Sequence, residues 1–310
     1  MRVFRHHRNL PQDARGAVVA LGNFDGVHRG HQALISEAGR LARLRSVALA
    51  VVVFEPYPQE FFRPGGGTFR LTSFRSKARL LSDLGVDTLI VVHFDAEVAA
   101  MPAQDFVLDI LVQEFGVAHV VVGADFRFGR KRGGDAAVLA YMGEMEGFGV
   151  TVFEPLADGP ETKISSTRIR EALREGKPEE AARLLGHGWT VEAHVQKGDS
   201  RGRQFGYPTA NLTLEGLLQP RHGVYAIRAQ IGDAAKIYDG VANFGRRPTF
   251  ETPTPLFEAH LFGFDGDLYG QLLRVELVAY LREERKFESV DALREQLDAD
   301  SRAARDRLTG

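Results

Sequence analysis

At 310 residues, with 44% hydrophobic and 26% charged side chains, the chain is long enough to bury two cores of ordinary globular composition. A formal net charge of −2 argues against a general binder of nucleic acid or anionic membranes, which would carry a basic excess. The absence of cysteine excludes disulfides, zinc–thiolate sites, iron–sulfur clusters and a catalytic thiol. The opening MRVFRHHRNLPQD has no apolar stretch of the secretion type, and no run approaches the roughly 18 apolar residues of a bilayer span, so a cytoplasmic location is expected.

Short Val-rich runs at Val18–Leu21, Val47–Phe54, Thr88–Phe94, Ala118–Val122 and Val150–Phe153 predict strands buried on both faces. Helical patterns at His31–Leu44, Phe74–Leu84, Ala103–Phe115 and Asp135–Gly147 separate them. This alternation predicts an open α/β parallel sheet that binds ligands at the carboxyl ends of its strands. Two more helices are expected at Ser166–Arg174 and Pro178–Leu185. After Gly186 the period changes to two, with Val191, Ala193 and Val195 alternating with polar residues, and Leu273, Val275, Leu277, Ala279 and Leu281 doing the same. That pattern predicts an antiparallel sheet or small barrel, followed by a helix capped by Ser289 with Val290, Leu293, Leu297 and Ala304 on one side. The domain boundary is expected near residues 183–189, giving domains 1–183 and 187–310.

The first strand runs into GNFDGVHRGH, Gly22 to His31. His28 and His31 are three apart and share a face if both lie in the first helical turn, where two imidazoles suit a polyphosphate whose charge grows in a transition state. Gly30 lets a nucleotide approach the backbone without meeting a Cβ. Downstream, Lys163-Ile164-Ser165-Ser166-Thr167-Arg168-Ile169-Arg170 offers hydroxyls and free N–H groups at a helix start, a pattern that serves either as an ordinary cap or as a phosphate grip strengthened by Arg170. Phe62, Phe106 and Phe128 follow or flank predicted strand ends, where they are either core or a stacking surface for a flat ring. Pro64–Gly67 reads as a flexible turn or lid, and Arg127, Arg130, Lys131 and Arg132 as a basic loop that is either solvated or in contact with phosphate.

GNFDGVHRGH resembles the nucleotide-binding motif of the HxGH nucleotidyltransferases, in the form of the prokaryotic FAD synthetase branch. The Lys163–Arg170 segment is similar to that family's KISSTxIR, and Val122-Gly123-Ala124-Asp125-Phe126-Arg127-Phe128-Gly129 to its GxDFxFG, although many members carry an acidic residue where Ala124 stands. The resemblance implies a Rossmann-like domain that cleaves ATP between the α- and β-phosphates with Mg²⁺ and no covalent intermediate. It implies catalysis by His28 and His31, ATP contacts at Gly22, Asn23, Phe24, Gly30, Ser165, Ser166, Thr167 and Arg170, and flavin contacts at Phe62, Phe106, Asp125 and Phe128.

In the second half, Gly202 to Leu212, with Pro208-Thr209-Ala210-Asn211, resembles the PTAN segment of riboflavin kinases. Supporting matches lie at Gly223–Ala226, Asn243–Phe250 and Phe257–Gly270, with Phe244 and Arg246 where many relatives carry Ile and Thr. The resemblance implies a six-stranded antiparallel barrel with a terminal helix, so that the whole chain is α/β plus all-β. Thr209 and Asn211 supply oxygen atoms that suit Mg²⁺, Gly198, Gly202, Gly206 and Pro208 would let the loop wrap ATP, and Glu258 is the expected general base. On its strand Leu256, Glu258, His260 and Phe262 share one face and Phe257, Ala259 and Leu261 the other. Together the two motif sets imply a bifunctional enzyme that makes FMN from riboflavin and then FAD, with riboflavin, FMN and ATP as partners and neither nucleic acid nor membrane. A pantetheine-phosphate or nicotinate-nucleotide adenylyltransferase would leave the PTAN half unexplained, and a flavin- or RNA-binding regulator would leave both catalytic sets unexplained.

Overall fold

The Val-rich runs form a parallel sheet in the computed structural model, which describes residues 1–65, 69–154, 163–197, 207–245 and 255–309. Its strands are β1 (Arg2–Phe4), β2 (Val18–Leu21), β3 (Leu49–Glu55), β4 (Thr88–His93), β5 (His119–Gly123) and, after a short antiparallel pair β6 (Arg127–Phe128) and β7 (Gly134–Asp135), β8 (Gly149–Phe153). The order is β1-β4-β3-β2-β5-β8. Every residue of β2 is buried, as continuous apolar runs require of strands covered on both faces. The helices of this unit are α1 (Arg29–Arg45), α2 (Pro58–Phe62), α3 (Phe74–Asp83), α4 (Ala96–Ala100), α5 (Ala103–Asp105) and α6 (Ala136–Glu146).

Within this unit three details differ from the sequence-based expectations. β1 is too short for its pattern to announce it. Strand β3 begins at Leu49, because Val47 completes the end of α1, its N–H donating to the Ala42 carbonyl at 3.1 Å beyond left-handed Ser46. The segment expected as one helix over Ala103–Phe115 is α5 followed by a π-helix at Phe106–Glu114, whose wider turn still buries Phe106, Val107, Ile110 and Leu111.

The sheet order places β2 between β3 and β5, so the connections leave β2 in opposite directions. A crevice at the carboxyl ends of β2 and β5 follows from that reversal. It lies at Gly22 and Gly123, where the two motifs begin or turn.

The second unit holds α7 (Ser166–Arg174), α8 (Pro178–Leu185), β9 (Trp189–His194), β10 (Ala210–Thr213), β11 (Gly223–Ile231), β12 (Ile237–Gly245), β13 (Leu256–Leu261), β14 (Leu272–Arg282) and α9 (Val290–Leu308). Its antiparallel sheet runs β10-β13-β12-β11-β14-β9, and the Gln196 N–H, donating to the Asn211 carbonyl at 2.9 Å, nearly closes it into a barrel. Alternation on β13 sends Phe257, Ala259 and Leu261 into the core and leaves Glu258 and His260 half-buried on the other face. That outer face packs under α9, where Val224, Ala226, Val241 and Ala279 meet Ala304 and Leu308. Ser289 caps α9, but Val290 is 56% exposed and does not join the apolar side expected of it.

The compact units part between Ile164 and Ser165, some way before the boundary expected near 183–189, and residues 68–73 belong to the second. The physical reason is local: the Arg221 N–H donates to the Leu173 carbonyl at 2.9 Å, Trp189 Nε1 donates to the Leu71 carbonyl at 2.9 Å, and the apolar sides of α7 and α8 are buried.

Candidate active sites

In the first unit the chain leaves β2 through Gly22–Val27, where Phe24 and Val27 hold positive φ values of 48° and 45°. Such angles are strained for side chains of this kind, and the near-complete burial of both side chains offsets that strain with apolar contact. His28 caps α1: its Nδ1 accepts the His31 N–H at 3.3 Å, which places the His28 proton on Nε2. The two imidazoles stack with centroids 3.5 Å apart and planes 15° from parallel. A Cβ on Gly30 would lie 3.2 Å from the His28 ring, so glycine here makes room for the imidazole as well as for any nucleotide. Burial, followed by the neighbouring His28, Lys77 and Lys163, pushes the His31 imidazole well below its usual range. His31 is therefore a neutral hydrogen-bond donor at neutral pH, and its Nδ1 is a buried polar atom without a hydrogen-bond partner among the described residues.

Beneath this loop lies a support that sequence patterning does not reveal. The fully buried Lys77 places its Nζ 3.4 Å from Glu55 Oε1 and 4.3 Å from the centre of the Tyr57 ring, and the Tyr57 hydroxyl donates to Asp25 Oδ1 at 3.2 Å. The acid of the GNFDGVHRGH motif is thus engaged in holding the loop.

A cavity of about 490 Å³ gathers Gly22, Asn23, Phe24, His31, Phe62, Phe106, Asp125 and Phe128 from the expected set. Phe54, Phe94 and Phe126 line it too, and were not anticipated. The rings form a continuous aromatic wall: Phe106 and Phe128 are 5.5 Å apart, Phe126 and Phe128 5.6 Å, Phe62 and Phe94 5.9 Å. Asp125 Oδ2 pairs with Lys163 Nζ at 2.6 Å, and that hydrogen bond holds the carboxyl below its usual range. Arg127, Lys131 and Arg132 complete the lining. Ser165, Ser166, Thr167 and Arg170 stand at the start of α7 in the second unit; the Ser165 hydroxyl accepts the Arg168 N–H at 3.4 Å as a helix cap, and Arg170 Nε donates to the Phe69 carbonyl at 2.8 Å.

In the barrel, the register sets Glu258 directly opposite Asn211 on β10 and opposite Asn243 on β12. Thr209 borders two cavities. One, of about 430 Å³, also takes in Pro208, Ala210 and the Phe264–Tyr269 turn. The other, of about 230 Å³, contains Glu258, Tyr207 and His260 and is roofed by Leu293, Leu297 and Asp300 of α9. Asn211 is 5% exposed and borders neither. His260 Nδ1 donates to the Pro208 carbonyl at 2.9 Å, anchoring the residue before Thr209. Burial lowers the affinity of the His260 imidazole for a proton. Gly198, Gly202, Gly206 and Arg246, like Gly66 and Gly67, lie outside the described residues.

Residues missed by sequence reasoning hold α9 in place. Arg282 Nε and NH2 donate to the two oxygens of Asp300 at 2.8 and 2.6 Å, Gln296 Nε2 donates to Asp300 Oδ1 at 2.6 Å, and the Tyr207 hydroxyl donates to Asp298.

Comparison with known proteins matches residues 10–168 to the FAD synthetase family and residues 185–308 to the riboflavin kinase family. Bifunctional riboflavin kinase/FMN adenylyltransferases are 40% identical in Escherichia coli strain K12, covering 99% of this chain and 97% of that protein, and 39% identical in Pseudomonas fluorescens, covering 98% and 97%. A Streptococcus pneumoniae crystal structure described as a macrolide-efflux protein is 31% identical and superposes with a TM-score of 0.86, covering 98% of both chains. No helix among the described residues of this chain is long and apolar enough to cross a membrane.

Proposed function

The chain belongs to the bifunctional riboflavin kinase/FMN adenylyltransferase family, and from that premise we propose how its residues divide two successive ATP-dependent steps. Riboflavin and ATP give FMN and ADP; FMN and a second ATP give FAD and diphosphate. We assign phosphorylation to residues 187–310 and adenylation to residues 1–183, in a cytoplasmic enzyme.

In the kinase, Glu258 takes the proton from the terminal ribityl hydroxyl as that oxygen attacks the γ-phosphorus of ATP and the bond to the β-phosphate oxygen breaks. The single observation that carries this reading is the three-strand register aligning Asn211, Glu258 and Asn243, with Glu258 and Thr209 bordering one cavity beneath α9. That cavity is the riboflavin site, and its neighbour beyond Thr209 the ATP site. The Thr209 hydroxyl and Asn211 amide oxygen are hard donors that would suit Mg²⁺, an ion that keeps several waters and would take its remaining ligands from phosphate. Bound Mg²⁺ supplies neutralisation of phosphate charge.

In the adenylyltransferase, the aromatic wall stacks the isoalloxazine, and an FMN phosphate oxygen attacks the α-phosphorus as diphosphate leaves. His28 through Nε2 and His31 as a neutral donor stabilise the charge that develops there. The decisive experiment incubates purified protein with riboflavin, ATP and Mg²⁺ and separates the flavins: FMN followed by FAD is expected, and formation of neither overturns the assignment.

A further inference from the structure

The adenylation cavity must accept FMN and leave unphosphorylated riboflavin to the kinase, yet an aromatic wall grips both rings equally well. The discriminating group is a phosphate, and its recognition calls for fixed positive charge. Four cations follow Phe126 in sequence, but only three of them, Arg127, Lys131 and Arg132, border the cavity; Arg130 does not. Arg127 adjoins the Asp125 and Asp135 carboxylates electrostatically, whereas Lys131 and Arg132 make no ion pair among the described residues.

The loop that carries them is built for position. Lys131 and Arg132 both adopt left-handed backbone angles, φ 55° and 59°, which non-glycine residues seldom take in succession. The Arg130 N–H donates to the Met101 carbonyl at 2.7 Å, and the Arg132 and Gly133 N–H groups close tight turns onto Gly129 and Arg130 at 3.0 and 3.1 Å. Gly129 leaves no room for a side chain, since a Cβ there would fall 2.6 Å from Ala103, and Gly134 packs the same way against the Phe128 ring at 2.7 Å. The loop is therefore fastened on one side to the residues before the π-helix and on the other to an aromatic of the flavin wall.

Resting on the adenylation reading above, we propose that Lys131 and Arg132 bind the phosphate of FMN and so make the adenylyltransferase selective for FMN over riboflavin. An anionic phosphate could equally come from the ATP triphosphate, and the test separates the two sources.

FAD formation from supplied FMN is followed in the full-length protein for wild type, Lys131→Ala, Arg132→Ala and Arg130→Ala, with lumiflavin, a flavin ring with neither ribityl chain nor phosphate, as competitive inhibitor. Losing one charge-assisted phosphate contact should raise KM for FMN about 10- to 100-fold in the first two variants. KM for ATP and the inhibition constant of lumiflavin should stay within about threefold of wild type, and Arg130→Ala should behave as wild type. An unchanged KM for FMN overturns the proposal, as does a rise confined to KM for ATP, which would give these cations to the triphosphate. A matching rise in the lumiflavin constant also overturns it, because the loop would then serve the ring. Failure of wild type to make FAD at all would instead sink the adenylation reading itself.

Discussion

Asn211 and Glu258 face each other across neighbouring antiparallel strands, one from the PTAN segment and the other nearly fifty residues downstream. Antiparallel partners on one face stand only a few ångströms apart, so the pairing brings an amide oxygen and a carboxylate to the same patch of barrel wall. The outer-face alternation then turns Glu258 towards the cavity under α9 rather than into the core.

Glu258→Gln keeps the size and pairing of the side chain and removes the base. Riboflavin phosphorylation is expected to fall about 10²- to 10⁴-fold, the usual worth of general acid–base catalysis. FAD formation from added FMN should persist, because its site is assigned to the other half of the chain. Near-normal FMN formation by this variant would return Glu258 to the role of a half-buried strand residue.

Gly30 offers a cleaner probe of the histidine pair than deleting either imidazole. In Gly30→Ala the new methyl would press on the His28 ring from 3.2 Å, tilting it away from its cap on His31 N–H. A shift of a few tenths of an ångström in a charge-stabilising donor should slow adenylation about 10-fold. Alanine is the better helix former, so the melting temperature should not drop. Loss of stability with unchanged turnover would show that glycine is there for packing alone.

The depressed proton affinity of His31 has a thermodynamic consequence. Its folded-state pKa lies well below the ordinary imidazole value of 6.5, so between those two values the unfolded chain binds the extra proton. Stability therefore rises with pH through that window and is lost as pH falls below about 6.5. His7 and His119 are shifted the same way, chiefly by burial, and add to the slope. Melting curves from about pH 7.5 down to about pH 5.5 should show a steeper decline for wild type than for His31→Gln. Equal slopes would mean that His31 titrates normally.

Much of this was legible because the chemistry is concentrated in short contiguous motifs. Val18–Leu21 and Ser166–Arg174 form their elements with the residue bounds their patterns imply, and the face of Glu258 follows from strict alternation. What escaped depends on contacts between distant residues. Phe54 is next to last on β3 and Phe94 follows β4 directly, and nothing in their local pattern distinguishes a ring lining a crevice from one in the core. The π-helix at Phe106–Glu114 hides for a related reason: over nine residues its period cannot be told from that of an α-helix. Lys77 reads as a surface lysine until Glu55 and Tyr57 are brought around it by the fold.

Asp300 illustrates the same point and carries the last prediction. It sits midway along a helix rich in charge, where solvent is the ordinary destination of a carboxylate, yet it is 4% exposed and grips Arg282 through both oxygens. Arg282 ends β14, and both residues border the cavity that holds Glu258. The fork therefore fixes how closely the α9 roof, through Leu293 and Leu297, approaches the barrel wall. Asp300→Ala leaves the guanidinium without its main partner and should cost about 2–3 kcal/mol, less than the ~3–5 of a fully buried pair because Arg282 retains 22% of its side-chain exposure. Asp300→Asn keeps one acceptor oxygen and the shape, and should recover part of that loss. If the pair sets the roof, KM for riboflavin should rise about 10-fold in Asp300→Asn while KM for ATP is unchanged, since the ATP cavity lies on the other side of Thr209. A drop in melting temperature with both constants unmoved would confine the pair to stability and leave the position of the roof to the apolar contacts of Ala304 and Leu308.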